Sequence, residues 1–572
     1  MTPSPSRSTL PPSSPRTIPS LRPLIRSSAL WAAYGDALGF ITELANSATV
    51  RSRAGGFPVE RTVEWKRRVG GRGGPTVTLP AGCLSDDTQL RLAVSRSIGP
   101  RGFDPQVFAK VELTVWASYA LGAGRGSKVA AANLTRRDSS WATNFFESDR
   151  ATYVHGGGNG AAMRVQPHVW SARPDVSLEE LLSVVVADSV VTHGHARGIL
   201  GAAFHALTLR RALHTGVLAG PDEWRTDLAD LMAIVEVVEG HDELGGLWLG
   251  MWQQRTQRTL RDATLEVVGE LAADIDALER TRGRGLVGAY GSAIEAMGAF
   301  KPSQRGSGTK TALLAAYLAW RSEGNAHEAV LVAANGLGTD TDSIATMAGA
   351  ILGALGVDPP AGDIADRRYI EHEADRMFAL ASGEGVEQFP HPDLRRWQPP
   401  KSQSDALGMA EDGRLHLAGL GPAEPASEVH ATSGKNAPGW QWVDLWFGQR
   451  VLAKRRQHPP TLDQSQLTMP SDAYITSSLL DDTAYARAAD SDEVAIVDRR
   501  VEQLRSETTS SRSLHDLTNE AIRSGFEPSV IGQHMIELSA RDDGVELSVA
   551  YAAILAKALM SRRDVQRRSS RA

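Results

Sequence analysis

Two short acidic clusters, about 250 residues apart, are the residues of this chain best suited to chemistry. The first is Ser85-Asp86-Asp87-Thr88 and the second is Asp340-Thr341-Asp342-Ser343. Each leads directly into an apolar, small-residue run. Carboxylates beside a core are costly unless something neutralises them. Two of them about 4 Å apart repel by roughly 4 kcal/mol at an effective dielectric near 20. Hard divalent cations take oxygen ligands and remove that cost. The pair of clusters therefore predicts one oxygen-lined cation site with two ions, closed when the fold brings both clusters together. Each cluster also fits a helix start: Ser85 or Asp86 caps one helix, and Asp342 or Ser343 opens another. Capping and cation binding are compatible. An EF-hand is excluded, since no Glu follows Asp342 by nine residues.

Three further motifs are weaker taken singly. Asp36 in Gly35-Asp36-Ala37-Leu38-Gly39 sits in an apolar helical stretch with Glu43 at its end, and reads as a helix broken by glycines. His155 to Arg164 contains Gly156, Gly157, Gly158, Asn159 and Gly160, whose backbone suits a phosphate or a flexible loop. It lacks the Gly-Lys-Ser/Thr ending of a P-loop. Thr192-His193-Gly194-His195 falls within a helical pattern from Leu181 to Leu213, where His at i and i+2 point to different faces and make a poor metal pair.

Helices must position these groups. Apolar residues recur at helical spacing between residues 27 and 395, as in Leu181-Leu182-Val185-Val186, with Gly-rich breaks and no alternating strands. A helix over Ile344 to Leu355, rich in Ala and Gly, is predicted to be central. Residues 1–26 read as a disordered tail rich in Pro, Ser and Arg. Composition shifts near residue 396. Residues 396–456 read as a small β-containing module, with Trp440, Trp442 and Trp446 forming its core or else a partner-binding surface, and 457–475 as a linker. Residues 476–572 read as a helical region ending in a basic tail, Arg562 to Arg571.

The 572 residues suffice for several domains, with 42% hydrophobic and 22% charged content. The net charge of −6 gives no general pull toward nucleic acid, though a local basic patch remains compatible with it. Cys83 is the only cysteine, which excludes intrachain disulfides and cysteine-rich metal sites. No apolar run reaches a membrane span. No membrane contact and a cytoplasmic location are expected.

In order and wording together, the five motifs resemble the ADP-ribosylglycohydrolase family, dinitrogenase reductase-activating glycohydrolases included, over about residues 27 to 380. The resemblance implies an all-α, compact multi-helix domain, here with a smaller mixed C-terminal extension. It implies a binuclear Mg²⁺ or Mn²⁺ centre and hydrolysis of the bond between ADP-ribose and an acceptor, a protein side chain or a nucleic acid. On that pattern Ser85, Asp86 and Asp87 match one set of metal ligands, and Asp340, Asp342 and Ser343 the other. Relatives often carry Thr where Ser85 and Ser343 stand; both keep the hydroxyl. Glu43 matches a loop glutamate that contacts metal or gates access. Gly157, Gly158, Asn159 and Gly160 match the segment lining the diphosphate and distal ribose, and His193 a substrate contact. Water activation falls to Asp87 or Asp342, with Glu43 as the alternative acid/base. Two other readings stand beside this one: an inactive ADP-ribose-binding module, and a hydrolase of free ADP-ribose derivatives.

Overall fold

The computed structural model describes residues 21–471 except 72, 282 and 433–436, then 474, 512–541 and 544–569. Residues 1–20 of the expected tail, residues 475–511 and the side chains of the basic tail lie outside the described residues. The opening helix, Leu21–Thr42, starts inside the segment read as a tail. Burial holds its first turns in helical form: Leu21 and Ile25 enter the core, and Arg22 pairs with Asp375 at 3.0 Å.

The opening helix and the helix Thr341–Gly353 form the centre of the molecule, and glycine makes their closeness possible. A Cβ on Gly39 would stand 2.3 Å from the Asp342 Cα, and one on Gly35 2.3 Å from the Ala345 carbonyl oxygen. From the other side, Gly349 and Gly353 lie equally close to the backbone of Trp31 and Ser27. Side chains stitch the crossing: Ser28 Oγ donates to the Ala350 carbonyl at 2.7 Å, and Thr346 Oγ1 to that of Ala32 at 2.7 Å. The small residues of the second helix thus serve contact with a particular partner. The helix begins three residues earlier than the sequence pattern predicts, which places Asp342 and Ser343 in its first turn.

The segment 181–213 is two helices, Leu178–Val190 and Ala196–Thr215, rather than one. Tyr153 packs against Gly194, and Trp252 Nε1 donates to the Gly194 carbonyl, which holds the turn open. His195 then caps the second helix, its Nδ1 accepting from the Arg197 amide at 3.1 Å. Strands also occur where none was expected: Trp65–Arg68 pairs antiparallel with Thr76–Leu79 around the Gly-rich segment. The alternation is hard to see in the sequence because Arg67 points inward to an ion pair.

The extension contains a five-stranded antiparallel sheet in chain order: Leu407–Met409, Leu415–Leu417, Gly421–Pro425, Gly439–Leu445 and Arg450–Arg455. Its apolar face continues the core of the helical part without a break. Trp440 is buried, and Trp442 and Trp446 pack on the same core. Across the junction the Lys454 amide donates to the Ser118 carbonyl at 2.9 Å, and the buried Arg96 donates to Gln449 at 2.9 Å. The expected linker 457–475 is built into the module over its described residues. Leu462 is buried, and the Met409 amide donates to the Pro460 carbonyl at 2.8 Å. No helix among the described residues is long and apolar enough to cross a membrane.

Three C-terminal helices, Leu514–Arg523, Pro528–Ser539 and Gly544–Ser569, share a small core that includes Leu247. His515 Nδ1 pairs with Glu243 at 2.9 Å. Burial pulls the His515 imidazole down, but the bond and charge of Glu243 outweigh it, so the group is raised above its ordinary value. That stabilisation is complete below the ordinary histidine range and is lost as pH rises through the higher folded value. Hydrogen exchange in Leu514–Arg523, corrected for intrinsic rates, should therefore quicken as pH rises above the ordinary histidine range. His515→Gln should remove the dependence, and protection in the parent protein that does not change with pH would refute a stabilising role for the His515–Glu243 pair.

Candidate functional site

Asp36 explains how the first acidic cluster is presented. It is fully buried on the opening helix, and its carboxylate accepts the Ser85 amide at 3.1 Å and the Thr88 amide at 3.1 Å. Those amides start the helix Asp86–Arg96, so one buried acid anchors its N-terminus. Ser85 supplies the cap itself, its Oγ accepting from the Asp87 amide at 3.2 Å. The Asp86 amide donates to the Leu121 carbonyl at 2.7 Å, next to Gly122. At Gly122 φ is +84°, and a Cβ would press on Asp86 Oδ1. Asp36→Ala should cost about 1–3 kcal/mol, the desolvation of amides left unpaired. Urea denaturation measures it, and a loss well under 1 kcal/mol would show the anchor to be dispensable.

The second cluster faces the first across the glycine crossing. Thr341 Oγ1 donates to the Gly39 carbonyl at 3.0 Å, and the Ser343 amide donates to Asp342 Oδ1 at 3.0 Å. Asp340, just before the helix, accepts from Asn159 Nδ2 at 3.1 Å, which ties the Gly-rich loop to the acids. One cavity of about 450 Å³ is lined by Glu43, Asp86, Asp87, Asp340, Asp342 and Ser343 together with Gly157, Gly158, Asn159, Gly160 and His193. Ser85 stands behind this wall, fully buried and engaged as a cap.

Burial, then repulsion from neighbouring carboxylates, lifts Asp86, Asp87 and Asp342 well above the usual carboxylate range. Asp87 Oδ2 is buried without a hydrogen-bond partner. Burial also raises Glu43, and Arg67 offsets part of that through Nη1 at 3.2 Å and Nη2 at 3.3 Å. The Arg67 guanidinium lies 4.5 Å from the centre of the Phe40 ring, which fixes its direction.

This donor set, all carboxylate and hydroxyl oxygen and short of positive charge, fits a hard divalent cation. The orphaned Asp87 Oδ2 is the atom that most needs one. As the side chains stand, no three His, Cys, Asp or Glu groups among the described residues close on a single metal position.

Arg164 joins the loop to the histidine. It is fully buried, donating to Asp188 Oδ1 at 2.8 Å, the Gly160 carbonyl at 2.9 Å and Thr192 Oγ1 at 3.0 Å. Thr192 Oγ1 lies 2.7 Å from His193 Nδ1. This hydrogen bond and the Arg164 contact fix the ring's orientation, leaving Nε2 as its free polar atom. Burial, reinforced by Arg164, lowers His193 to about 3, so the ring is neutral. Gly160 passes so close to His193 that a Cβ would meet Cε1 at 2.9 Å.

Sequence reasoning missed Asp36, Arg67, Arg164 and Asp188 as supports. The Met163-Arg164 pair was visible as part of a motif, but its role depends on groups 24 and 28 residues away.

The sequence model of the ADP-ribosylglycohydrolase family matches residues 19–382. A solved structure described as an "ADP-ribosylglycohydrolase-related protein complex" aligns with 63% of this chain and 99% of its own, at 19% identity and a TM-score of 0.38. No curated protein matches the chain.

Proposed function

Because the chain belongs to the ADP-ribosylglycohydrolase family, we propose that it is a cation-dependent hydrolase that releases ADP-ribose from a modified acceptor. The observation that carries this reading is the meeting of both acidic clusters in one cavity, with Asp87 Oδ2 buried and unpartnered. Asp86, Asp87, Asp340 and Asp342, with the Ser343 hydroxyl, are the groups that would hold Mg²⁺ or Mn²⁺. When bound, two such ions neutralise the carboxylates and acidify a water.

The chain's own groups then divide the work. Asp87 or Asp342 takes the proton from the attacking water, and Glu43 is the alternative acid/base. The remaining carboxylates stabilise the oxocarbenium-like character that develops at the anomeric carbon. Arg67 holds Glu43 at the edge of the cavity. His193 contacts the substrate through Nε2, and the loop Gly157 to Gly160 lines the diphosphate side. Asn159 keeps that loop in register with Asp340.

The test is release of free ADP-ribose from modified arginine, modified serine and modified DNA, with Mg²⁺ and with chelator. Release that depends on Mg²⁺ supports the reading. No release from any substrate, or equal release by Asp86→Ala/Asp342→Ala, overturns it.

A further inference from the structure

The floor of the cavity is acidic and the whole chain carries a net charge of −6, yet one side of the mouth is basic. Arg125 and Lys128 stand exposed in the first turn of the helix Arg125–Leu134, with Arg125 in the cavity wall. The loop leading to that helix carries Ser118, whose carbonyl accepts the Lys454 amide at 2.9 Å. The Lys454 ammonium is 5.4 Å from the centre of the Trp440 ring. Trp440 Nε1 in turn lies 3.0 Å from where a Cβ on Gly70 would be. Gly70 follows the strand Trp65–Arg68, whose outward residues are Lys66 and Arg68.

These contacts string Arg125, Lys128, Lys454, Arg68 and Lys66 into one path from the cavity onto the extension. Several surface arginines elsewhere are matched by carboxylates, as in Arg136–Asp138, Arg225–Asp276 and Arg450–Asp444. Among the described residues the five groups of the path have no such ion pair. Single charges spread over three elements match a ligand that carries a charge at every step, rather than one phosphate or one acidic side chain. Trp440 is buried, so base stacking is not offered and recognition falls to the backbone.

We propose that this basic path binds a nucleic-acid strand through its phosphates, and that the acceptor from which ADP-ribose is removed is that strand. The assignment to an acceptor rests on the glycohydrolase reading above. It also gives the C-terminal sheet a task, since Lys454 comes from its last strand.

The experiment measures binding of a short fluorescent single-stranded DNA by the full chain across a salt series. Polyglutamate of matched charge serves as competitor, and the variant is Lys66→Gln/Arg68→Gln/Lys454→Gln. Binding should weaken as salt rises, and the variant should flatten the log–log salt slope by about 2, at roughly 0.7 for each phosphate that is no longer neutralised. Hydrolysis of a small ADP-ribosylated arginine compound should stay at the parental rate in the variant. No DNA binding, an unchanged slope, or displacement of DNA by polyglutamate at equal charge would overturn the proposal, the last in favour of an acidic protein segment. Absence of release by the parent protein from modified arginine, serine and DNA alike strikes the glycohydrolase reading instead, and with it the acceptor assignment, while DNA binding reports on the path alone.

Discussion

Asp87→Asn is expected to abolish hydrolysis while raising the melting temperature of the cation-free protein. Asp87 is buried among acids: burial, Asp36, Asp86 and Asp340 all act against its charge, and its Oδ2 has no partner. An amide of the same shape removes the repulsion. At an effective dielectric near 20, a carboxylate pair several ångström apart repels by a few kcal/mol at most, and relaxation leaves on the order of 1 kcal/mol. The shift per kcal/mol is about 2–4 °C for 150–250 residues and shrinks with size, so a rise of about 1–2 °C in chelator is the expected result for this larger core. Loss of a general base costs about 10²–10⁴ in rate, and loss of a cation ligand adds to that. Mg²⁺ should reverse the order. It stabilises the parent protein by mass action, about 2.7 kcal/mol at a hundredfold excess over Kd, and the variant by less. Calorimetry with and without Mg²⁺ checks both halves. A variant that melts below the parent in chelator would mean that the acids are not in conflict. One that keeps parental turnover would remove Asp87 from the chemistry.

Gly39→Ala should be the most damaging small substitution in the opening helix. Its Cβ would lie 2.3 Å from the Asp342 Cα and 2.5 Å from the Thr341 carbonyl oxygen, and backbone cannot rotate aside as a side chain can. Overpacking of this kind costs about 1–3 kcal/mol where the core yields, and more where it cannot. Relief requires the helix Thr341–Gly353 to move outward and to take Asp342 with it. A displacement of about 1 Å at a reacting group costs on the order of 10²-fold in rate. Gly269→Ala is the matched control. Gly269 is interior to the helix Leu260–Glu279, and nothing lies within 4 Å of its would-be Cβ. It should gain about 0.5–1 kcal/mol. Urea denaturation of both proteins, with kcat measured for each, is the check. Equal stability of Gly39→Ala and the parent would mean that the two helices are not locked at this crossing.

Much of this arrangement was readable in the sequence, and the exceptions share a cause. Apolar spacing located the helices, and two runs of acids and hydroxyls located the groups that line the cavity. The role of Asp36 was not readable, because its partners Ser85 and Thr88 lie 49 and 52 residues onward. In isolation, a carboxylate in an apolar helix looks like an interruption. The break at Thr192-His193 was hidden because valines continue the helical period up to it. Groups distant in sequence, Tyr153 and Trp252 among them, impose the turn. The strand Trp65–Arg68 was hidden for the opposite reason, since an inward arginine reads as a surface residue until Glu43 is seen beneath it. The change of composition near residue 396 suggested a boundary, but the apolar core crosses it.

That continuous core bears on how this chain can change over generations. A module hung on a free linker can be exchanged by recombination without cost to its neighbour. Here a foreign sheet would strip Gln449 from the buried Arg96, Trp397 from the Lys110 carbonyl and the Arg450 amide from Asp366. Replacing the sheet alone would therefore leave buried polar groups of the helical part without partners. Drift is cheapest on the outward residues of the extension and dearest where its strands meet Ser118 and Gly70.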